Sequence, residues 1–415
     1  MNAPQDSPAP QVKFTGYQKF VVGVLAFLQF TIILDFMILS PLGAIVMPAL
    51  EIGPQQFALV VSVYAFAAGA SGLLAAGFAD RFDRKKLLLF FYVGFILGTA
   101  MCGLAQSFSV LLFARIVTGI FGGVIGSIVM AITTDLFPIE MRGRVMGVVQ
   151  TAFAASQILG LPLALYLSTA WDWHAPFMAI VLIGAAVGVV IARYMRPVDA
   201  HLGLAQERGP LSHLVATVTE PRHLLAFCAT ALLSTGGYMI MPFGSAFTVN
   251  NMGIDVAHLP TIYLVTGIFT IFIGPIVGRA SDRLGKFVMF MFGSLLSIAT
   301  VLFYTHLGPT PLFEVILVNV VLFVGIFSRM IPAQALMSAI PDVTKRGAFN
   351  AINASLAQFS GGVAALIAGS LVVQGADGHL EHFPRIGYVV AGASLITLFL
   401  MYRIHRAVPD RPAKF

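Results

Sequence analysis

Apolar runs long enough to cross a bilayer recur twelve times along these 415 residues: roughly 18–46, 57–79, 87–105, 109–136, 144–168, 174–194, 223–249, 259–280, 287–304, 311–338, 347–373 and 384–404. A helix needs about 20 mostly apolar residues to span the hydrocarbon core. Within that core every backbone polar group must be satisfied internally. The two conditions predict an all-α membrane protein of twelve transmembrane helices. Composition supports this, because only 10% of residues are charged and 58% are hydrophobic, whereas soluble domains carry about 25% charged residues. The excess of 24 Lys and Arg over 18 Asp and Glu would suggest nucleic acid in a soluble chain. Here it reads as loop charge that sets membrane topology, and no nucleic-acid partner is expected. Cys102 and Cys228 both lie inside apolar runs, so neither a disulfide framework nor a metal site is expected, and nothing implies a cofactor.

The basic residues orient the chain. With the N-terminus on the cytoplasmic side, only Arg385 of the 24 Lys and Arg falls in an outer loop, and Arg115 and Arg329 fall inside spans. Both termini are therefore expected in the cytoplasm, and the membrane is expected to be a bacterial inner membrane. The longest polar stretch lies between the sixth and seventh runs. The organisation predicted is a disordered tail (1–16, without the basic n-region or cleavage site of a signal peptide), a six-helix bundle (17–194), a linker (195–222), a second bundle (223–405) and a tail (406–415).

The two bundles repeat. Gly77-Phe78-Ala79-Asp80-Arg81-Phe82-Asp83-Arg84-Lys85-Lys86 has a weaker echo in Gly278-Arg279-Ala280-Ser281-Asp282-Arg283-Leu284-Gly285-Lys286, with the Asp-Arg pair 202 residues later. Pro138–Gly143 is likewise echoed by Pro341–Gly347. Parallel six-helix repeats about an axis along the membrane normal place a substrate site near mid-depth between the halves.

Over essentially its whole length the chain resembles transporters of the major facilitator superfamily. Gly77-x-x-Asp80-Arg81-x-x-Arg84-Lys85 is similar to the family signature between helices 2 and 3, with Asp83 standing where the family usually has glycine. The string around Arg115 is similar to the span-4 motif whose arginine is associated with proton coupling in antiporters. Arg329-x-x-Pro332-Ala333 resembles the sugar-efflux and arabinose-efflux-like branch. Gln157-Ile158-Leu159-Gly160-Leu161-Pro162 matches the drug:proton antiporter motif only in part, and Pro162 reads as a packing or kink residue. The resemblance implies that helices 1, 4, 7 and 10 line a central cavity while 3, 6, 9 and 12 face lipid.

Charges inside spans are expensive and mark function by default. Asp35 stands deep in the first run, where apolar flanks disfavour its ionised form. It reads either as a proton carrier or as a structural carboxylate paired permanently with an arginine. Arg115 is its expected partner at similar depth, with Gly119, Gly122, Gly123 and Gly126 allowing close helix approach. Arg329 has no carboxylate in its own helix, and it reads as a contact for a polar or anionic substrate or as a structural anchor. Further substrate candidates are Ser234 and Tyr238 in span 7, Tyr263 in span 8, Asn350 and Asn353 in span 11, and Gln157 in span 5. Gly77, Asp80, Arg81, Arg84 and Lys85, with Asp282 and Arg283, are expected to latch one end of the bundle through charge-assisted contacts to helix ends. Trp171, Trp173 and His174 read as an interfacial aromatic belt.

The chain is therefore expected to be a monomeric secondary transporter that exchanges protons for a small organic molecule, a drug-like compound, sugar or metabolite. Uptake or uniport of a polar or anionic solute, and a non-transporting sensor, are the alternatives. No Walker string argues for an ATP-driven pump, and no nucleophile–base constellation argues for an enzyme.

Overall fold

The computed structural model describes residues 14–75, 78–199, 202, 217–342 and 346–407. Among the described residues, twelve helices are long and apolar enough to cross a membrane, and in order they form spans 1 to 12: Gly16–Ile38, Pro54–Ala75, Arg84–Cys102, Phe108–Leu136, Ile139–Ala170, Ala175–Tyr194, Pro221–Asn250, Val256–Leu284, Lys286–Thr305, Leu312–Ser338, Arg346–Leu371 and Phe383–Ala407. Polar caps start several of them. Thr15 and Gln18 form a capping box at span 1, Ser107 caps span 4, and the Asp83 side chain accepts from the Lys86 amide at span 3. Such caps satisfy N–H groups that the first helical turn leaves without partners. Asp83, the departure from the usual glycine, thus serves as a helix cap.

Three spans are not continuous helices, and each interruption sits beside a proline. The run 18–46 breaks after Ile38 and resumes as a short helix, Gly43–Ala49, with Pro41 in the break. Span 7 breaks in the same way around Pro242, between Pro221–Ile240 and Gly244–Asn250. Proline has no N–H to donate and its ring clashes with the preceding turn. In span 5 the segment Ser156–Gly160 is π-helical and ends two residues before Pro162. Irregular backbone of this kind is tolerated at membrane depth only where protein covers it, and here it is covered. Ser245 Oγ donates to the Ser40 carbonyl (3.2 Å) and accepts from the Ala44 amide (3.3 Å), joining the breaks in spans 1 and 7. The span-5 π turn packs on Gly267 of span 8, where an added Cβ would lie 2.9 Å from Ile158 Cα.

The two ends of the bundle are packed differently. At the end remote from the basic loops, one apolar core runs through both halves, from Leu39, Val46 and Phe57 to Phe243, Phe247 and Phe383. At the basic end each half has its own core, around Leu88, Ile128 and Val145 in one and Phe290, Leu336 and Met401 in the other. Leu73 of span 2 bridges to Phe227, Phe349 and Ile352 of the second half. The conformation is thus sealed at the end remote from the basic loops. Of the aromatic residues expected at an interface, Trp171 is 76% exposed but Trp173 is only 3% exposed, packed against the His174 ring and edge-on to Phe177. Trp173 is a core residue, because the turn before span 6 folds it inward.

Candidate functional site

Four helices of the first half converge on Asp35. Span 1 brings the carboxylate to full burial, and span 4 brings Arg115, 1% exposed, alongside it. Arg115 Nη1 donates to Asp35 Oδ2 at 3.0 Å and to the Asp35 carbonyl at 3.1 Å. The second carboxylate oxygen, Oδ1, accepts from Thr99 Oγ1 of span 3 at 3.1 Å. From span 2, the ring of Tyr64 lies under the guanidinium, 4.3 Å from its carbon. Glycines permit this convergence. A Cβ on Gly119 would sit 2.6 Å from the Tyr64 carbonyl, one on Gly123 2.4 Å from the Ala68 carbonyl, and one on Gly98 2.8 Å from the Thr118 amide. Gly122 also packs on Tyr64, whereas Gly126 meets nothing within 4 Å. Thr31, on the same face as Asp35, is spent on its own helix, donating to the Leu28 carbonyl.

The pair is buried but not saturated. Both hydrogen bonds from Arg115 to Asp35 come from one guanidinium nitrogen, and among the described residues Arg115 Nε has no partner. A carboxylate held through a single nitrogen lacks the two parallel bonds of a fork–fork pair. The arrangement suits a contact that opens and closes. Thr99 and Tyr64 went unrecognised in the sequence, where hydroxyls and aromatics are common in spans and carry no charge to mark them.

From Tyr64 the contacts lead towards the second half. Its ring lies 5.3 Å from that of Phe36, and Phe36 lies 5.8 Å from Tyr238 of span 7. The Tyr238 hydroxyl donates to Gln358 Oε1 of span 11. Tyr238 is therefore the one candidate substrate residue in ring contact with a neighbour of the charged site. The others are dispersed. Ser234 donates to the Thr230 carbonyl of its own helix, and Asn353 accepts from Thr230 Oγ1 at 2.6 Å. Asn350 is exposed, Tyr263 is half-buried on span 8, and Gln157 is buried in the π turn of span 5. Arg329, in span 10, is 6% exposed, and neither Nε nor Nη2 has a hydrogen-bond partner. No group of three or more His, Cys, Asp or Glu is arranged to hold a metal ion among the described residues.

The model of the Major Facilitator Superfamily matches residues 25–365. The chain belongs to that superfamily. Among its relatives it is 26% identical over 271 residues to the uncharacterized MFS-type transporter YceJ of Bacillus subtilis, spanning 65% of this chain and 68% of that one. It is 34% identical over 142 residues to multidrug resistance protein 3 of Bacillus subtilis, covering 34% of this chain and 28% of the relative. A probable sugar efflux transporter of Mannheimia succiniciproducens matches at 23% identity over 85% of this chain and 86% of its own. The fold is similar to that of a solved structure of the nucleoside transporter NupG, with a TM-score of 0.72 at 14% identity over 93% of this chain and 99% of that one.

In this superfamily member the described contacts of the signature loop between spans 2 and 3 fall within one half. Gly77 and the side chain of Asp80 lie outside the described residues. Arg81 is exposed on the turn Ala79–Arg81. Arg84, 5% exposed, pairs with Asp135 at the end of span 4 (3.1 Å) and donates to the Ala79 carbonyl (2.8 Å). Lys85 Nζ donates to the Ala192 carbonyl in the last turn of span 6 at 2.8 Å, where the helix dipole favours a cation. These contacts tie spans 3, 4 and 6 to one another. Asp135 was overlooked although it falls inside the apolar run 109–136, the same signal that marked Asp35. In the second half, Asp282 and Arg283 are exposed and have no ion pair among the described residues.

Proposed function

We propose that this chain is a proton-coupled secondary transporter that exports a small organic molecule by alternating access. The observation that carries the reading is the Asp35–Arg115 pair, closed to solvent beneath the sealed end and held through one guanidinium nitrogen. A proton arriving at Asp35 Oδ2 cancels the charge that holds Arg115 Nη1. Arg115 then keeps only the Asp35 carbonyl and the Tyr64 ring. A shift of the guanidinium displaces Tyr64 and, through Phe36, reaches Tyr238 of the second half. That route runs one turn below the joined breaks of spans 1 and 7, so loss of the ion pair loosens the seal it supports. Residues 17–194 and 223–405 move as two bodies joined by 195–222, with the basic end and both termini cytoplasmic. The superfamily membership supports transport, and the names of the efflux-type relatives support export.

The test is transport by proteoliposomes under an imposed pH gradient, with ethidium, arabinose and salicylate as probes and Asp35→Asn beside wild type. The gradient is expected to drive accumulation of a probe by wild type and not by Asp35→Asn. Equal gradient-driven accumulation by both proteins would remove the proton role from Asp35. Proton-coupled import or uniport of a polar or anionic solute is the second reading, favoured by the unpaired Arg329. It predicts movement of the probe in the same direction as the protons, or no response to the gradient.

A further inference from the structure

We propose that Arg329 anchors a substrate subsite and that its ligand is an organic carboxylate. The inference rests on the transport reading and names the chemical class of what is carried. Three arginines of the spans are buried; Arg84, at the start of span 3, pairs with Asp135, and the two deeper ones, Arg115 and Arg329, differ in one respect. Arg115 has a carboxylate, a carbonyl and an aromatic face. Arg329 makes no hydrogen bond or ion pair with any described residue, and its Nε and Nη2 atoms are covered without being bonded. Burying an unpaired charge costs several kcal/mol. A guanidinium that only holds helices together would bond to one of them, whereas one that meets an arriving anion must be free beforehand.

Its chemistry and position select the ligand. Nε and Nη2 carry parallel N–H groups along one edge of the guanidinium, the spacing that matches the two oxygens of a carboxylate. Arg329 lies near the middle of span 10 and faces the middle of span 7, where a Cβ on Gly236 would be 3.8 Å from Nη1. The next residue, Gly237, is exposed and has no atom within 4 Å of its Cβ position. At Gly236 span 7 thus presents backbone without a side chain to the guanidinium, at the mid-depth where two-half transporters hold substrate. Since the Nε–Nη2 edge is covered in this conformation, the carboxylate engages it when the halves rearrange.

The experiment is thermal unfolding of the purified full-length protein with matched probes: salicylate against salicylamide, and glucuronate against glucose. Wild type, Arg329→Gln, Arg329→Met and Asp35→Asn are compared. Without probe, the two Arg329 variants are expected to melt at or above the wild-type temperature, because an unpaired buried charge has been removed. A carboxylate is expected to raise the wild-type melting temperature when its neutral partner does not. In Arg329→Gln the concentration giving half of that shift should rise about tenfold or more, the range of a lost charge-assisted hydrogen bond. Asp35→Asn should retain the shift, so a failure of proton coupling leaves this result standing. Three results would overturn the proposal: both Arg329 variants melting several degrees below wild type, which makes Arg329 a structural anchor; neutral probes shifting the protein as much as their carboxylates; or neither carboxylate shifting it at all.

Discussion

Asp35→Asn and Arg115→Met, separately and together, test whether the buried pair is a coupled unit. Asn keeps the shape of the side chain and the bond from Thr99, but leaves the Arg115 charge without a counter-ion, beside the Asp35 carbonyl and the Tyr64 ring. Breaking a buried pair by removing one partner costs about 3–5 kcal/mol, and a desolvated cation–π contact is worth about 2 kcal/mol. Asp35→Asn should therefore lose about 1–3 kcal/mol. Arg115→Met leaves the carboxylate with the Thr99 hydroxyl alone and should lose about 3–5 kcal/mol. The double variant strands no charge. Replacing a buried pair by apolar groups is often neutral, so the double variant should lose far less than the roughly 4–8 kcal/mol obtained by adding the singles. The assay is unfolding by sodium dodecyl sulfate in mixed micelles, read by the fluorescence of Trp171 and Trp173. If the single losses simply add, Asp35 and Arg115 are not energetically coupled and the switching role fails. A folded double variant should also show no gradient-driven transport, and wild-type transport by it would show that the proton travels elsewhere.

Gly123→Ala should destabilise the protein by about 1–3 kcal/mol through overpacking against Ala68, while Gly126→Ala, which meets no neighbour, should be neutral in the same unfolding assay. In a Cys228→Ser background, Ala44→Cys with Ser245→Cys should form a disulfide across the sealed end, stopping transport under oxidation and restoring it on reduction; transport by the fully oxidised protein would contradict an opening there. Arg84→Ala, which removes the contacts to Asp135 and Ala79, should reduce both stability and transport rate, whereas Asp282→Asn should leave both unchanged. A strong defect in Asp282→Asn with a silent Arg84→Ala would reverse the assignment of the latch.

The amino-acid sequence by itself determined the number of spans, because the bilayer makes a local demand on length and apolarity that each helix meets alone. It also marked Asp35, Arg115 and Arg329, since an ionisable group in an apolar run stands out without knowledge of its neighbours. What those groups touch was decided by tertiary structure. Thr99 and Tyr64 became partners of the pair only because glycines at 98, 119 and 123 let spans 2, 3 and 4 approach closely. The breaks in spans 1 and 7 fall at Pro41 and Pro242, inside runs that read as unbroken in the sequence, and only packing showed that they meet through Ser245 and close one end. Arg115 and Arg329 look alike as buried arginines in a sequence. One is paired and the other is not, a difference that depends on which helix faces which, and no local pattern encodes it.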